Sequence, residues 1–151
     1  MADDSRFPIP DSRVGLGYDS HRFAPGGPLV LAGNRIPVDF TLAGHSDGDA
    51  IAHAVTDAAN RGADSMAMLR AAVARVGEAG YTVVNADVVV VAETPKIGPY
   101  RDAMRHTLAE SLGTGVDRVS IKGKTNEQMG WIGRGEGLAC LATVLIARSG
   151  G

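Results

Sequence analysis

The stretch YTVVNADVVVVAE, residues 81–93, decides the fold class of this chain. Its run of valines predicts one long β-strand. Beyond it, residues 99–112 have the pattern of a helix, and residues 118–125 and 138–147 have the pattern of two further strands. Strands and helices therefore alternate, which predicts an α+β domain.

The chain before this stretch contains a leader, a strand and a hairpin. Residues 1–12 carry prolines and polar residues without periodicity, so we expect a flexible N-terminal leader followed by one domain over residues 13–151, which opens with a strand. Residues 28–32 and 35–39 are separated by Gly33-Asn34, which predicts a short hairpin because both residues tolerate the backbone of a tight turn.

Two helices are predicted between the hairpin and the long strand. Ser46 as an N-cap, with Asp49 at the third helical position, indicates a helix that continues through His53 to about Ala58. A second amphipathic pattern runs from Ser65 and stops at a glycine, residue 80. We expect this second helix to be purely architectural.

The composition excludes several classes of function. Among 151 residues, 15 Lys and Arg against 17 Asp and Glu give a net charge of -2, so the broad positive surface that nucleic acids require is lacking. No apolar run approaches the roughly 20 residues that cross a bilayer, and the N-terminus lacks the pattern of a signal peptide. We therefore expect a soluble, cytoplasmic protein. The single cysteine, Cys140, lies in an apolar run and is expected in the core.

The predicted sheet leaves one apolar face to be covered. We expect a single-domain α+β sandwich in which one mixed or antiparallel sheet carries helices on one face only. The opposite face would be paved with Val, Ala and Leu, since the chain has only 3 Phe, 3 Tyr and 1 Trp. Such a face is typical of a subunit interface, which predicts an oligomer.

Three residues can be brought onto a single divalent metal ion. Asp19 and His21 are two positions apart in a predicted strand and so project to the same side, while His53 approaches from the first helix. Two nitrogens and one oxygen suit zinc, and three protein ligands leave a fourth position open, as in catalytic sites. Asp49 or Asp57, each four residues from His53, could orient its ring; a solvated helix face is the alternative.

Six motifs carry a resemblance to a known family. In chain order they are Gly-Tyr-Asp-Ser-His, Gly-His-Ser-Asp-Gly-Asp, Gly-Ala-Asp-Ser, Glu-Thr-Pro-Lys, Lys-Thr-Asn-Glu and Gly-Arg-Gly-Glu-Gly. Over residues 13–148 the chain resembles the 2-C-methyl-D-erythritol 2,4-cyclodiphosphate synthases of the non-mevalonate isoprenoid pathway. The resemblance implies a homotrimer whose sheets surround a central cavity, with each active site between adjacent subunits. This assembly would cover the apolar face of the sheet.

The resemblance also implies a phosphorus-oxygen lyase with two metal ions. In this family the 2-phosphate of 4-diphosphocytidyl-2-C-methyl-D-erythritol 2-phosphate attacks the β-phosphorus, expels CMP and closes a cyclic diphosphate. The family's zinc ligands fall on Asp19, His21 and His53, with one zinc ion per subunit and a phosphate oxygen in the open position. Its Mg²⁺ or Mn²⁺ ligand falls on Glu127, where the ion is bound together with substrate.

Further substrate contacts are implied by the same resemblance. His45 and Thr125 match catalytic positions that donate hydrogen bonds to phosphate oxygens, and Ser46 should lie beside them. The segment around the cytosine ring corresponds to Ala92, Glu93, Thr94, Pro95, Lys96, Ile97 and Gly98. The segment that holds the diphosphate corresponds to Lys124, Thr125, Asn126 and Glu127. Trp131 and Arg134 match positions at one mouth of the central cavity, where a prenyl diphosphate could bind.

One part of the chain departs from the family's pattern. The chain passes from residues 56–59 directly to residues 60–65, whereas the family has a longer helix end and a loop with Gly-Asp-Ile-Gly and Pro-Asp motifs that contacts the erythritol and the phosphates. We expect that the protein retains this loop as a mobile active-site segment whose residues are absent from the sequence, which predicts a spatial gap between about Asp57 and Gly62. A true deletion would impair activity.

Two other functions stay open on the sequence alone. A zinc phosphohydrolase would use the open zinc position to activate water, which explains the three ligands but neither Glu127 nor the nucleotide segment. A catalytically impaired, trimeric isoprenoid-diphosphate-binding protein would retain Trp131 and Arg134 without turnover.

Overall fold

The structure, a computed structural model, describes residues 11–44, 48–56 and 65–150. The predicted leader, up to residue 10, and the predicted gap between Asp57 and Gly62 lie outside these residues. The elements are β1 (Ser12–Pro25), β2 (Leu29–Leu31), β3 (Asn34–Ile36), β4 (Phe40–Leu42), α1 (Ala50–Thr56), α2 (Ser65–Glu78), β5 (Tyr81–Val91), α3 (Arg101–Leu112), β6 (Val119–Lys124), α4 (Gly130–Gly133) and β7 (Gly137–Arg148).

Five strands form one mixed sheet in the order β4-β1-β7-β5-β6. The pair β5 and β6 is parallel and the other pairs are antiparallel, while β2 and β3 form the predicted separate hairpin. Its turn lies one residue earlier than predicted: Ala32 and Gly33 have the positive φ angles, whereas Asn34 pairs with Leu31. The prediction of an α+β domain built on a mixed sheet is therefore confirmed. The edge strand β4 was not predicted, because three residues are too few to show an alternating pattern.

Helix α1 packs directly on β1 at Gly17. A Cβ atom on Gly17 would overlap the carbonyl oxygen of Ala54, so only glycine allows the helix to come this close to the strand. The neighbouring helical residue, His53, is consequently held against the strand that carries Asp19 and His21.

The start of α1 differs from the prediction. The described helix begins at Ala50, so Asp49 is not its third residue; instead Asp49 precedes it and accepts a hydrogen bond from the Ala52 N–H at 3.1 Å, as an N-cap does. Its carboxylate also accepts the N–H groups of Ala32 and Gly33 at 2.8 and 2.6 Å, and Asp49 is fully buried. These bonds attach the β2–β3 hairpin to the start of α1.

The sheet face opposite α1 exposes large apolar side chains. On β1, Val14, Leu16 and Tyr18 are 68%, 69% and 58% exposed and alternate with Gly17, which faces the helix. Leu141 on β7 pairs with Tyr18 across the ladder and is also exposed. A row of this kind in contact with water is unfavourable, as the sequence analysis anticipated.

The buried core lies between the helices and the sheet. Val88 and Val90 of β5, Leu108 of α3 and Leu138 of β7 have no solvent exposure. Cys140 is equally buried, which confirms its predicted core position, and burial raises the pKa of its thiol well above the ordinary value. Among the described residues, no helix has both the length and the hydropathy of a membrane span.

An apolar groove of about 280 Å³ opens beside the last residue of α1, Thr56. Val55, Leu69, Val73 and Val76 contribute to its walls. The Thr56 hydroxyl oxygen is buried and has no hydrogen-bond partner among residues 11–44, 48–56 and 65–150. An unpaired buried hydroxyl costs free energy because it has lost water without gaining another partner.

Replacing this hydroxyl with a methyl group should stabilise the protein. We expect Thr56→Val to raise the free energy of unfolding by about 1 kcal/mol, because the shape is kept and the unpaired polar atom is removed. The matched control is Thr107→Val, since the Thr107 hydroxyl donates to the Ala103 carbonyl at 3.1 Å and accepts from the Asn34 amide at 3.2 Å. That variant should be less stable by a similar amount. Urea unfolding at one fixed protein concentration measures the free energy of unfolding of both variants. Equal changes in Thr56→Val and Thr107→Val would show that the Thr56 hydroxyl is not unpaired.

Candidate metal and substrate site

Two imidazoles, one from β1 and one from α1, converge on one carboxylate oxygen of β1. Asp19 Oδ2 lies 2.9 Å from His21 Nε2 and 3.2 Å from His53 Nδ1. Asp19 and His21 share the face of β1 that α1 covers, and the contact at Gly17 brings His53 to it. The structure thus brings together the three residues that the sequence grouped as metal ligands.

The chemistry of this cluster fits a divalent metal ion. One ligand atom from each of Asp19, His21 and His53 lies within 4.8 Å of the other two. The side chains are 24%, 16% and 17% exposed, so the cluster is shielded yet open on one side. Two imidazole nitrogens with one carboxylate oxygen are a donor set that metals with nitrogen and oxygen ligands use.

The second nitrogen of His21 is held by the backbone. His21 Nδ1 lies 3.0 Å from the Ala43 carbonyl oxygen, which can only accept, so Nδ1 carries the proton and Nε2 is left for the cluster. The hydrogen bond to Asp19 raises the pKa of His21, burial opposes this, and the Ala43 carbonyl raises it again. Metal binding at Nε2 must therefore displace a proton at low pH.

The second nitrogen of His53 faces Ser65, a residue for which the sequence predicted no role in the site. Ser65 Oγ lies 2.8 Å from His53 Nε2, and Ser65 is fully buried. The role suggested for Asp49 is not observed, because the ring nitrogens of His53 face Asp19 and Ser65. Helix α2, expected to be architectural, thus contributes a polar atom to the cluster.

A second cavity, of about 350 Å³, lies where β5 and β6 end. Because these strands are parallel, the segments that follow them leave the sheet at the same edge, and the Ala92 N–H donates to the Lys124 carbonyl at 2.9 Å. The cavity is lined by Ala92, Pro95, Lys96, Ile97, Gly98, Arg101, Ile121, Lys122, Gly123, Lys124 and Thr125. Most residues of the two predicted substrate segments therefore meet around one cavity.

The cavity carries several positive charges. Lys96, Arg101, Lys122 and Lys124 all line it, and Arg101 was not predicted from the sequence. Lys122 is paired with Asp87, whereas Lys96 and Lys124 form no ion pair within the described part of the chain. Unpaired cations around a cavity favour an anionic ligand.

Glu93 fixes the loop that follows β6. Its Oε1 accepts the N–H groups of Asn126 and Gln128, both at 3.0 Å. Glu127 and Gln128 adopt positive φ angles of 52° and 62°, which non-glycine residues rarely do without such support. Glu127 Oε1 accepts a hydrogen bond from the Thr125 hydroxyl at 3.4 Å and its side chain is exposed. Glu93 and Thr94 were predicted to contact substrate but do not line the cavity. The observed contacts of Glu93 support the loop after β6.

The remaining predicted residues lie elsewhere or outside the described residues. Trp131 on α4 lines a cavity of about 170 Å³ together with Ser20, His21, Arg22 and Glu136. Arg134 is exposed and its Nε donates to Glu136 Oε1 at 2.6 Å. His45 and Ser46 lie outside the described residues. Among those described, no hydrogen bond or ion pair joins the metal cluster to the β5–β6 cavity within one chain.

The sequence profile of the YgbB family matches residues 12–60 and 56–147. The chain belongs to the YgbB family. A curated relative from Gemmatimonas aurantiaca, a 2-C-methyl-D-erythritol 2,4-cyclodiphosphate synthase, is 52% identical over 91% of this chain and 95% of its own length. The crystal structure of 2C-methyl-D-erythritol 2,4-cyclodiphosphate synthase from Plasmodium vivax has a TM-score of 0.82 at 34% identity, covering 91% of this chain and 98% of that one.

Another similar structure contains a bound nucleotide. The Plasmodium falciparum protein in complex with CDP has a TM-score of 0.83 at 29% identity and covers 94% of this chain and 99% of its own. The resemblance inferred from the six motifs is thereby confirmed, as are the predicted enzyme class and function at the level of the family.

The family match is interrupted between α1 and α2. Its two segments meet at residues 56–60, and the alignment with the Gemmatimonas relative spans 157 positions, more than the 151 residues of this chain. Relatives therefore have positions without a counterpart here. This agrees with the departure noted in the sequence, after the last residue of α1.

Loss of the Glu93 carboxylate should loosen the loop after β6. In Glu93→Ala, we expect amide hydrogen exchange at Asn126 and Gln128 to accelerate by roughly tenfold or more, because two charge-assisted hydrogen bonds are lost. Glu93→Gln keeps an acceptor oxygen and should retain most of the protection. The amide of Ala92, bonded to Lys124, serves as the internal reference. Equal protection in Glu93→Ala and the unmodified protein would show that the carboxylate does not hold the loop.

Proposed function

We propose that this chain converts 4-diphosphocytidyl-2-C-methyl-D-erythritol 2-phosphate to 2-C-methyl-D-erythritol 2,4-cyclodiphosphate and CMP, as the resemblance implied. The observation that carries the proposal is the cluster of Asp19, His21 and His53 in a member of this family. The cytoplasmic location expected from the sequence stays a prediction.

Two metal ions are part of the proposal. Asp19, His21 and His53 would hold zinc, and Glu127 would hold Mg²⁺ or Mn²⁺ together with substrate phosphates. When bound, the ions supply positive charge that offsets repulsion between phosphate oxygens and polarises them. The exposed carboxylate of Glu127 offers too few ligands to bind such an ion tightly by itself, so we expect this ion only with substrate present.

The β5–β6 cavity suits the nucleotide part of the substrate. Backbone groups of Ala92 to Gly98 would contact the pyrimidine edge, and Lys96 and Lys124 would offset phosphate charge at the cavity wall. The Thr125 hydroxyl donates a hydrogen bond to Glu127 in the structure. With substrate bound, it would donate this hydrogen bond to a phosphate oxygen. The nucleophile is already part of the substrate, so the residues only need to align it with the β-phosphorus and exclude water.

A homotrimer would complete the site. Within the described part of one chain, the metal cluster and the cavity share no residue, and β1 exposes Val14, Leu16 and Tyr18 on the face away from α1. Packing three such faces around a central cavity would bury these side chains and bring the cluster of one subunit to the cavity of the next. Trp131 and Arg134 would then lie at a mouth of the central cavity, available to a prenyl diphosphate.

A charge on the open sheet face should break the assembly. We expect Leu16→Asp to convert the trimer to monomers, because three buried carboxylates would be brought together without partners. Ala74→Asp, on the exposed side of α2, is the matched control and should stay trimeric. Sedimentation velocity distinguishes the two, and a trimeric Leu16→Asp variant would place the interface elsewhere.

Product analysis tests the reaction itself. The purified chain is incubated with the substrate, zinc and magnesium, and the phosphorus-containing products are followed by ³¹P NMR together with chromatography of the nucleotides. We expect the cyclic diphosphate and CMP in equal amounts, with loss of both in Asp19→Asn. Release of inorganic phosphate would instead support the zinc phosphohydrolase. Binding of a prenyl diphosphate without any turnover would support the impaired binding protein, and either result overturns the proposal.

A further inference from the structure

Helix α2 begins with a buried serine that faces a ring nitrogen of the metal cluster. Ser65 has no solvent exposure, and its Oγ lies 2.8 Å from His53 Nε2. Ser65 ends the Gly-Ala-Asp-Ser motif, but the sequence assigned it no role in the site, since a serine at the start of a helix ordinarily acts as a cap. Its partner is here a histidine of another helix, 12 residues earlier in the chain.

The two nitrogens of His53 have different surroundings. Nδ1 faces Asp19 Oδ2 at 3.2 Å and so points into the cluster, whereas Nε2 points away from it toward Ser65. A neutral imidazole that offers Nδ1 to a metal carries its proton on Nε2. That N–H can then donate to the Ser65 hydroxyl oxygen.

The same division of roles occurs at His21, with the nitrogens exchanged. His21 offers Nε2 to the cluster and holds Nδ1 against the Ala43 carbonyl. A carbonyl oxygen can only accept, so it selects one tautomer by itself. A hydroxyl can donate or accept, so Ser65 alone selects no tautomer; what it fixes is the direction in which the His53 ring points.

We propose that Ser65 is a positioning residue of the metal site, which fixes the His53 ring by accepting a hydrogen bond from Nε2–H. This inference rests on the proposed function, because it assumes that the cluster binds a metal. Partners of this kind orient the ligand and raise its basicity, and their loss typically weakens metal binding about 10–100-fold.

The connection between α1 and α2 ends next to the metal cluster. This connection lies where the family match is interrupted, yet its far end delivers Ser65 to His53. The start of α2 is thus tied to the metal cluster directly.

Zinc affinity measured by chelator competition tests the role of Ser65 without recourse to catalysis. We expect Ser65→Ala to bind zinc about 10–100-fold more weakly, and Ser65→Thr, which keeps the hydroxyl, to bind within a few-fold of the unmodified protein. Ser111→Ala makes the same change on α3 and should bind zinc normally. Circular dichroism establishes that each variant is folded. Unchanged affinity in Ser65→Ala would overturn the inference.

A second measurement covers the case in which Ser65→Ala fails to fold. In the zinc-loaded, unmodified protein, ¹⁵N NMR of the His53 ring should show the metal on Nδ1 and the proton on Nε2. Coordination through Nε2 would overturn the role of Ser65 while leaving the metal site intact. No zinc binding at all by the unmodified protein would instead overturn the metal site itself, so the two failures are distinguishable.

Discussion

The close approach of α1 to β1 at Gly17 is the constraint on which the metal cluster depends. The carbonyl oxygen of Ala54 occupies the space where any other residue would place its Cβ atom. This contact sets the separation between the helix that carries His53 and the strand that carries Asp19. A helix displaced by even one or two ångströms would take the imidazole out of reach of the carboxylate, because hydrogen bonds and metal bonds tolerate little change in length.

Around this contact the cluster is fixed from several sides. The buried carboxylate of Asp49 ties the β2–β3 hairpin to the start of α1, Ala43 holds His21 from the segment after β4, and Ser65 reaches His53 from α2. Each of these groups comes from a different part of the chain. The ring orientations are therefore a result of the tertiary fold, and no single element determines them.

The sequence predicted the elements and the ligand set more successfully than the supporting contacts. The alternation of residues in β1 was enough to place Asp19 and His21 on one side, and His53 was expected to approach from the first helix. Asp49 was assigned a helical position that it does not have. Its bonds to the hairpin could not be predicted, because its partners there are 16 and 17 residues away in sequence. Ala43 acts through a backbone carbonyl, which leaves no signature in a sequence. Ser65 was overlooked because its partner could be identified only once α1 and α2 had been packed together.

The parallel pairing of β5 and β6 places two ligand-contacting segments side by side at one edge of the sheet. The segments after these strands start from neighbouring positions, joined by the bond from Ala92 to Lys124 and by the carboxylate of Glu93. At these starting positions the two segments are one inter-strand spacing apart, about 4.8 Å. A ligand in the cavity is therefore contacted by residues that follow both strands, and the position of each segment depends on that of the other.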